Sequence, residues 1–322
     1  MKSFNASCGD AEELSKAILE SSNGTVLLDN LPAFPRDDVA TLLEFLHQHP
    51  DTQAELNKAY DANLVYKDAF AFGQGGPGVD MKRVLDLSPD RLAQICASAP
   101  HLMKDDRLVQ LLETTVLPWW KTLEQKTLPL VLNALEVICG PQVHEDVATN
   151  YRMVDYYSVS KENASVVRCG EHRDFGAFTL VFSDTQGLEV ECRPGGPLEP
   201  IAELERHQCL LLFGWVTAIR SNGRVPAALH RVSPSLSQRR ISAVFFCAPK
   251  QKSTLLTPNV LVGEPQRYRS VMVGQLRGTI SRKWRRREGT LKDGERELEE
   301  HEIAMTGMKT QDQVVATMIA LQ

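Results

Sequence analysis

Short apolar runs, each bounded by glycine, asparagine or proline, dominate the C-terminal half of the chain. The clearest are Phe178 to Phe182, Leu210 to Phe213 and Ile241 to Cys247, the last rich in β-branched and aromatic residues. Runs of this length and composition are typical of buried or half-buried β-strands. Gly24 to Leu31 and Tyr151 to Val159 have the same character and predict two further strands.

The N-terminal half shows helical periodicity instead. Apolar residues recur at helical spacing in residues 11–19, 35–49, 51–60, 88–98 and 107–139. Pro118 and Pro129 interrupt the last segment, so it is predicted to form two or three pieces. Trp119 and Trp120 are expected to pack it on the sheet. A final helix is predicted around residues 264–283.

The stretch from Tyr66 to Asp80 contains Gly-Gly-Pro-Gly, which disfavours regular structure and predicts a loop. It carries Phe70 and Phe72, and its position suggests the hypothesis that it covers the mouth of an active site.

Composition narrows the class of protein. The chain has 322 residues, of which 43% are hydrophobic, and a net charge of −5, which disfavours a nucleic-acid binder. No apolar run approaches the about 18 residues of a membrane span, and the N-terminus lacks the apolar region of a secretory signal. The seven cysteines are scattered without C-x-x-C spacing, so neither a disulfide framework nor a structural zinc site is predicted. We expect a soluble, cytoplasmic protein without membrane or nucleic-acid partners.

Three residues form a candidate metal site. His172 and Asp174 make an H-x-D pair, and His230 follows in a later apolar segment. Two histidines and one carboxylate are the ligand set that holds non-heme Fe(II) on one face and leaves other positions open. Residues i and i+2 of a strand share a face, so His172 and Asp174 are expected to point the same way.

An R-x-S pair predicts a second, anionic ligand. Strand periodicity places Arg240, rather than Arg239, on the same face as Ser242. A guanidinium and a hydroxyl in one pocket bind a carboxylate, the arginine through two hydrogen bonds and the serine through one.

Taken together, these motifs resemble those of the iron- and 2-oxoglutarate-dependent dioxygenases of the isopenicillin N synthase-like family. The matching stretches are G-x-H-x-D-F-G-x-x-T-L at 170–180, G-L-E-V at 187–190, S-N-G-R at 221–224, L-H-R-V at 229–232 and R-x-S-x-x-F-F at 240–246.

The resemblance implies an α+β fold with a mainly β core. That core is a double-stranded β-helix, or jelly-roll barrel, flanked by N-terminal and C-terminal helices. We expect one domain over residues 1–322, with a mostly helical part at 1–150, the jelly-roll catalytic core at 151–250 and a C-terminal helical part at 251–322.

The resemblance also implies roles for the site residues. Fe(II) would be held by His172, Asp174 and His230, and 2-oxoglutarate and O2 would be co-substrates. Arg240 and Ser242 would bind the far carboxylate of 2-oxoglutarate. Family members often carry Asn-x-Tyr on the strand before the H-x-D pair. Here Asp155 replaces the asparagine, Tyr157 takes the place of the tyrosine, and Tyr156 is a rival.

The substrate is expected to be a small hydrophobic or aromatic metabolite, because the predicted pocket is mainly apolar. Its candidate lining residues are Phe178, Phe182, Arg193, Phe213, Val216, Arg220 and Phe246. Arg193 or Arg220 would orient a phenolate or carboxylate. The strings at 71–89 and 169–182 resemble fungal members of the family in polyketide or alkaloid pathways, which implies hydroxylation or a radical rearrangement such as ring expansion. A monomer or weak homo-oligomer is expected.

Three alternatives stay open at this point. The first is an oxidase of the same fold that does not use 2-oxoglutarate, as isopenicillin N synthase does not. The second is a non-catalytic binding protein that keeps the barrel. The third is a zinc site, because Zn²⁺ also accepts histidine and aspartate.

Overall fold

Two β-sheets form the centre of the protein in a computed structural model that describes residues 1–59, 66–68, 82–98, 101, 106–144, 147–156, 168–233 and 239–287. The strands are β1 (Lys2–Asn5), β2 (Thr25–Asp29), β3 (Tyr66–Asp68), β4 (Arg83–Leu87), β5 (Val147–Tyr156), β6 (Cys169–Arg173), β7 (Phe178–Ser183), β8 (Leu188–Glu191), β9 (Leu198–Pro200), β10 (Cys209–Phe213), β11 (Leu229–Val232), β12 (Arg240–Pro249), β13 (Leu255–Leu256) and β14 (Val271–Met272). The α-helices are α1 (Ala11–Leu19), α2 (Arg36–Gln48), α3 (Pro50–Ala59), α4 (Pro89–Ser98), α5 (Asp106–Leu111), α6 (Leu117–Thr122), α7 (Leu128–Cys139), α8 (Trp215–Arg220) and α9 (Val273–Arg287).

The larger sheet has eight strands in the order β1-β2-β10-β7-β12-β5-β4-β3, and the smaller has four in the order β6-β11-β8-β9. Side chains from both sheets meet in one shared core, among them Val181 and Leu210 from the larger sheet and Val190 and Val232 from the smaller. The two sheets therefore face each other. This is the predicted double-stranded β-helix, and the fold expectation is confirmed.

The two faces of the larger sheet have different partners. Along β12, residues with even numbers face the smaller sheet, whereas Ile241, Ala243 and Phe245 belong to a second core that contains the helices. Both faces are buried, which explains why β7 and β10 are apolar along most of their length.

The helices of the N-terminal half confirm several sequence predictions. The predicted helices at 11–19, 35–49, 51–60 and 88–98 correspond to α1 to α4. The segment with two prolines forms α5, α6 and α7, joined by π-helical turns at Leu112–Val116 and Leu123–Thr127. Each proline lies in the first turn of the piece that follows, where its missing N–H costs little. The final helix, α9, begins at Val273, nine residues later than position 264.

Several elements were not predicted. The strands β1, β3 and β4 extend the larger sheet. Strand β1 lies within residues 1–23, which were expected to hold only a helix, and β3 lies within 66–80, which were expected to form only a loop. No element was predicted for the residues of β4. Helix α8, which follows β10 directly, was also missed. The N-terminal 150 residues therefore supply strands to the larger sheet as well as helices. Phe70 and Phe72, and with them the hypothesis of a covering loop, lie outside the described residues.

The expected packing role of the two tryptophans is confirmed. Trp119 meets Phe182 edge-on at 4.8 Å between ring centroids, and Trp120 stacks on Tyr151 at 5.3 Å. These contacts join α6 to β7 and β5. None of the described helices is both long enough and apolar enough to cross a membrane.

The buried position of Phe182 generates a stability prediction. Its side chain is 0% exposed and contacts Trp119 and Phe34, so Phe182→Ala should leave a cavity between helix and sheet. We expect the free energy of unfolding to fall by about 3–5 kcal/mol, measured by urea denaturation. Val262→Ala, at a fully exposed valine, is the control and should change it by less than about 0.5 kcal/mol. An effect of Phe182→Ala as small as that of the control would contradict this packing.

Candidate active site

Three candidate metal ligands meet between two paired strands of the smaller sheet. His172 on β6 lies directly opposite His230 on β11, and Asp174 is the first residue after β6. The ligand atoms of the three residues all lie within 4.8 Å of one another. His172 Nε2 is 3.5 Å from Asp174 Oδ1, and His230 Nε2 is 4.0 Å from Asp174 Oδ2. The donor atoms therefore converge on one point.

Backbone carbonyls orient both imidazoles. His172 Nδ1 lies 2.7 Å from the carbonyl oxygen of Gly170, and His230 Nδ1 lies 3.1 Å from that of Ala228. A carbonyl can only accept a hydrogen bond, so each Nδ1 carries the proton and each Nε2 directs its lone pair at the other ligands. On the carboxylate, Asp174 Oδ2 accepts a hydrogen bond of 2.6 Å from Thr179 Oγ1 on β7. Thr179 thereby ties the candidate metal centre to the larger sheet.

The electrostatics keep Asp174 and His230 in metal-binding protonation states. Burial by itself would raise the pKa of Asp174, but His230, His172 and Thr179 together hold it well below its usual value. Burial and the neighbouring His172 lower the pKa of His230 to about 4. An ionised carboxylate and a neutral imidazole are the forms that coordinate a metal.

Two glycines allow the turn that positions Asp174. A Cβ on Gly176 would lie 2.5 Å from the carbonyl oxygen of Cys247, and one on Gly214 would lie 2.3 Å from that of Gly176. No side chain fits such approaches. Trp215, at the start of α8, donates its backbone N–H to the Asp174 carbonyl at 2.9 Å. The Gly214-Trp215 dipeptide thus supports the backbone of a candidate ligand.

The R-x-S pair lies on the inner face of the larger sheet, inside the barrel. Arg240 is 2% exposed and Ser242 is fully buried, and Arg240 Nη1 donates a hydrogen bond to Ser242 Oγ. Arg240 Nε donates to the Thr185 carbonyl at 3.3 Å, whereas the buried Nη2 has no hydrogen-bond partner in the described part of the chain. Buried donors are normally satisfied, so an orphaned guanidinium nitrogen marks the place of an anionic ligand.

Of the two tyrosines predicted to contact the co-substrate, the structure describes only Tyr156. Tyr157 lies outside the described residues. Tyr156 lies on β5 opposite Arg240, and its ring centroid is 5.4 Å from the guanidinium carbon.

Sequence reasoning missed a second arginine near Arg240. Arg168, just before β6, is 1% exposed and donates from Nη1 to the Tyr156 carbonyl at 3.0 Å. Close by, Lys82 Nζ lies 3.4 Å from Cys169 Sγ. Three cationic side chains therefore lie at this end of the barrel, near the carboxylates of Asp155 and Asp184. The only sequence signal was an arginine beside a predicted strand, which is too common to be informative. Thr179 was part of the quoted motif, but spacing alone did not reveal its contact with Asp174.

The structure places most of the predicted substrate-pocket residues outside the barrel interior. Phe178, Phe182 and Phe213 lie on the outer face of the larger sheet, fully buried against the helices. Val216, on α8, belongs to the same helical core.

Both arginines proposed to orient the substrate also lie elsewhere. Arg220 is buried on α8, where its charge opposes the burial that raises the pKa of Cys139 and Cys247 to about 12. Arg193 is exposed in the turn between β8 and β9. Phe246 does lie on the inner face of β12, opposite Thr179, because its even-numbered position directs it into the barrel.

Comparison with known proteins agrees with the site. A family profile described as the 2OG-Fe(II) oxygenase superfamily matches residues 144–249. The 2-oxoglutarate-dependent dioxygenase gloF of Glarea lozoyensis is 34% identical over 92 residues, which are 28% of this chain and 28% of that relative. The chain therefore matches less than a third of that relative's length.

Solved structures share the fold. The rice dioxygenase for auxin oxidation superposes with a TM-score of 0.67 at 17% identity, covering 99% of this chain and 100% of that one. A full-length Neurospora crassa protein, in complex with alpha-KG and 5-formyluracil, gives a TM-score of 0.62 at 22% identity over 85% and 93% of the two chains. JOX2, in complex with 2OG, Fe and JA, gives 0.54 at 17% identity over 86% and 83%.

Residues 144–249 thus match the 2OG-Fe(II) oxygenase superfamily, whose cofactor and co-substrates are Fe(II), 2-oxoglutarate and O2. The residues present fit that chemistry on two counts. The three converging donors are the set that non-heme Fe(II) accepts, and the Arg240 nitrogen that lacks a partner among the described residues suits a carboxylate.

The hydrogen bond from Thr179 to Asp174 generates a prediction about metal affinity. Thr179→Val keeps the shape of the side chain but removes the donor that orients the carboxylate. We expect Fe(II) affinity, measured anaerobically by titration calorimetry, to fall about 10- to 100-fold. Thr114→Val, on an exposed turn of the helical side, should leave it unchanged. Equal affinity in the Thr179 variant and the parent would mean that this hydrogen bond does not position Asp174.

Proposed function

We propose that this protein is an Fe(II)- and 2-oxoglutarate-dependent dioxygenase that oxidises a small hydrophobic or aromatic metabolite. One observation carries the proposal: the donors of His172, Asp174 and His230 converge within 4.8 Å inside a barrel that also buries Arg240, one nitrogen of which has no partner among the described residues. A purely structural cluster has no need for both features.

Each site residue has a distinct role in this proposal. His172, Asp174 and His230 hold Fe(II), while Arg240 and Ser242 receive the far carboxylate of 2-oxoglutarate. When bound, the iron, 2-oxoglutarate and O2 supply the oxidant that removes hydrogen from a substrate C–H bond, while 2-oxoglutarate is converted to succinate and CO2. Tyr157 stays a predicted further contact to the co-substrate.

The spacing of the two groups supports this division. Cys169, at the end of the barrel that holds Lys82 and Arg168, is three positions before His172 on β6, which corresponds to about 10 Å along the strand. Arginine is long enough to reach across much of that distance, so one small dicarboxylate can contact both ends. Apolar side chains such as Val181, Leu210 and Val244 fill the same face and exclude water from it.

A small metabolite is the proposed substrate class because the barrel interior is lined mainly by aliphatic side chains. The ligands named for the related structures, 5-formyluracil in the Neurospora crassa protein and JA in JOX2, are small molecules bound by those proteins. For this chain we propose hydroxylation or a radical rearrangement such as ring expansion, in fungal polyketide-type secondary metabolism, in keeping with the sequence resemblance. A cytoplasmic monomer or weak homo-oligomer, without nucleic-acid partners, is part of the same proposal.

An anaerobic spectroscopic titration tests the metal and co-substrate assignments together. Fe(II) and then 2-oxoglutarate are added to metal-free protein, and the visible charge-transfer band of the chelated keto acid is recorded. We expect a band in the parent, no band in His172→Ala, and a weaker band at higher 2-oxoglutarate concentration in Arg240→Ala. Arg206→Ala, at an exposed arginine on the helical side, is the matched control and should behave as the parent.

Other results of this titration would favour one of the alternative functions, namely an oxidase, a zinc protein or a binding protein. Bound iron without a band would favour an oxidase that does not use 2-oxoglutarate. Binding of Zn²⁺ in preference to Fe(II) would favour the zinc site. Absence of iron binding would refute the catalytic proposal and leave a binding protein.

A further inference from the structure

Two buried polar atoms that lack a hydrogen-bond partner among the described residues belong to neighbouring residues at one end of the larger sheet. They are Nη2 of Arg240 and the side-chain hydroxyl oxygen of Thr185. The two residues are in direct contact, because Arg240 Nε donates a hydrogen bond to the backbone carbonyl of Thr185 at 3.3 Å. Buried polar atoms are normally satisfied, so two such atoms at one place indicate a site for a polar ligand.

The register of the sheet directs the Thr185 side chain into the barrel. The pairing of β7 with β12 ends at Ser183, whose partner on β12 has an even number and faces inward. Beyond it, the Asp184 N–H donates to the Ile241 carbonyl at 3.2 Å, and the Ile241 N–H donates to Asp184 Oδ1 at 2.9 Å. The register therefore continues past the end of β7 and places Thr185 opposite Arg240. Because Thr185 is two residues after Ser183, it shares the inward face.

The edge of the Arg240 guanidinium that faces Thr185 includes the nitrogen without a partner in the described ranges. A guanidinium is a planar fork, in which Nη1 lies on the Cδ side and Nη2 shares the opposite edge with Nε. Nε contacts the Thr185 carbonyl, so Nη2 is next to it along the same edge. A Cβ on Gly187 would lie 3.7 Å from Arg240 Cδ, which shows that the turn after β7 follows the arginine side chain.

The hydroxyl of Ser242 can serve the same ligand. It accepts a hydrogen bond from Arg240 Nη1. A hydroxyl has two lone pairs and one proton to donate, so this contact leaves the serine proton for a ligand. Arg240, Ser242 and Thr185 together supply three donors, and the two oxygens of one carboxylate have enough lone pairs for all of them.

The charge at this place favours an anion. Burial lowers the pKa of the Arg240 guanidinium, and Arg168, a second cation nearby, acts in the same direction. Tyr156 and Asp184 oppose this effect without cancelling it. Asp184 is itself engaged in an ion pair, because Arg36 Nε lies 2.6 Å from its Oδ2. A bound carboxylate would therefore stabilise the charged form of Arg240.

We infer that Thr185 is a specificity-determining residue that donates its hydroxyl proton to the distal carboxylate of the 2-oxo acid co-substrate, beside Arg240 and Ser242. This inference rests on the proposed dioxygenase function and deepens it, because it adds a recognition residue outside the R-x-S motif. The pocket then favours a 2-oxo acid that ends in a second carboxylate. If Thr185 only packed in the turn after β7, removal of its hydroxyl would not affect the binding of the co-substrate.

Two 2-oxo acids of equal chain length test the inference. 2-Oxoglutarate is compared with 2-oxopentanoate, in which a methyl group replaces the distal carboxylate, by calorimetric titration of the Fe(II)-loaded protein without oxygen. We expect Thr185→Val to weaken the binding of 2-oxoglutarate about 10- to 100-fold, as the loss of a hydrogen bond to a charged group implies. The binding of 2-oxopentanoate should not change. Thr185→Ser, which keeps the hydroxyl, should bind both acids as the parent does.

The stability of the ligand-free protein separates recognition from folding. A buried hydroxyl without a partner costs free energy, so its replacement by the methyl group of valine in Thr185→Val should not lower the melting temperature. The rise in melting temperature that 2-oxoglutarate causes should be smaller in Thr185→Val than in the parent. Gln186→Ala, at the exposed neighbour in the same turn, is the matched control and should keep both the affinity and the rise.

Two results would overturn the inference. Equal affinity of Thr185→Val and the parent for 2-oxoglutarate would mean that the hydroxyl does not bind the carboxylate. An equal loss of affinity for both acids, with a lower melting temperature of the ligand-free variant, would show that Thr185 only supports the fold.

The charge-transfer band, read in the same samples, distinguishes failure of this inference from failure of the proposed function. Equal affinities with the band present in both proteins would refute the role of Thr185 and leave the dioxygenase function intact. A parent that does not bind 2-oxoglutarate would refute both.

Discussion

The antiparallel pairing of β6 with β11 is the constraint on which the candidate site depends. It places His172 directly opposite His230, although 58 positions separate them in the chain, and it ends one residue before Asp174. Carbonyl groups beside the two histidines set the tautomer of each imidazole. Backbone hydrogen bonds therefore determine both the distance between the ligands and the direction of their lone pairs. A shift of the register by one residue would turn one histidine to the opposite face.

The larger sheet separates two environments. Its outer face carries aromatic and aliphatic side chains that pack on α6, α7 and the neighbouring helices, and this core is continuous. Its inner face carries aliphatic side chains but also has charged groups at two places, around Arg240 and at the ion pair between Arg152 and Asp86. Burying a guanidinium is costly unless it is paired. Arg152 is paired with Asp86, whereas Arg240 keeps a nitrogen without a partner in the described part of the chain. Arg152 is thus satisfied at least in part by the fold itself, whereas the Arg240 nitrogen is suited to an anionic ligand.

The similarity to solved oxygenases has a physical interpretation. Identities of 17% and 22% accompany TM-scores of 0.67 and 0.62, so the barrel persists while most side chains differ. In this chain the features that build the site are local: an H-x-D pair, glycines where backbones nearly touch, and an arginine on the inner face. Trp215 supports the turn at Asp174 through its backbone, and Arg168 places a cation beside Tyr156.

The sequence by itself determined the features that depend on short spacing. The H-x-D pair, the choice of Arg240 over Arg239 and the helices α1 to α4 all follow from periodicity over a few residues, and the spacing of the prolines predicted the division of residues 106–139. When both faces of a strand are buried, only the tertiary structure shows which of its residues point into the barrel and which point toward the helices. In β10 both faces are apolar, so no alternation indicated that Phe213 would face the helices, and in β7 the inner face combines Thr179 and Ser183 with the apolar Val181. Arg152 and Asp86 are 66 residues apart, and only the pairing of β4 with β5 brings them together. Local patterns record local geometry, whereas contacts between distant strands exist only after the sheets have assembled.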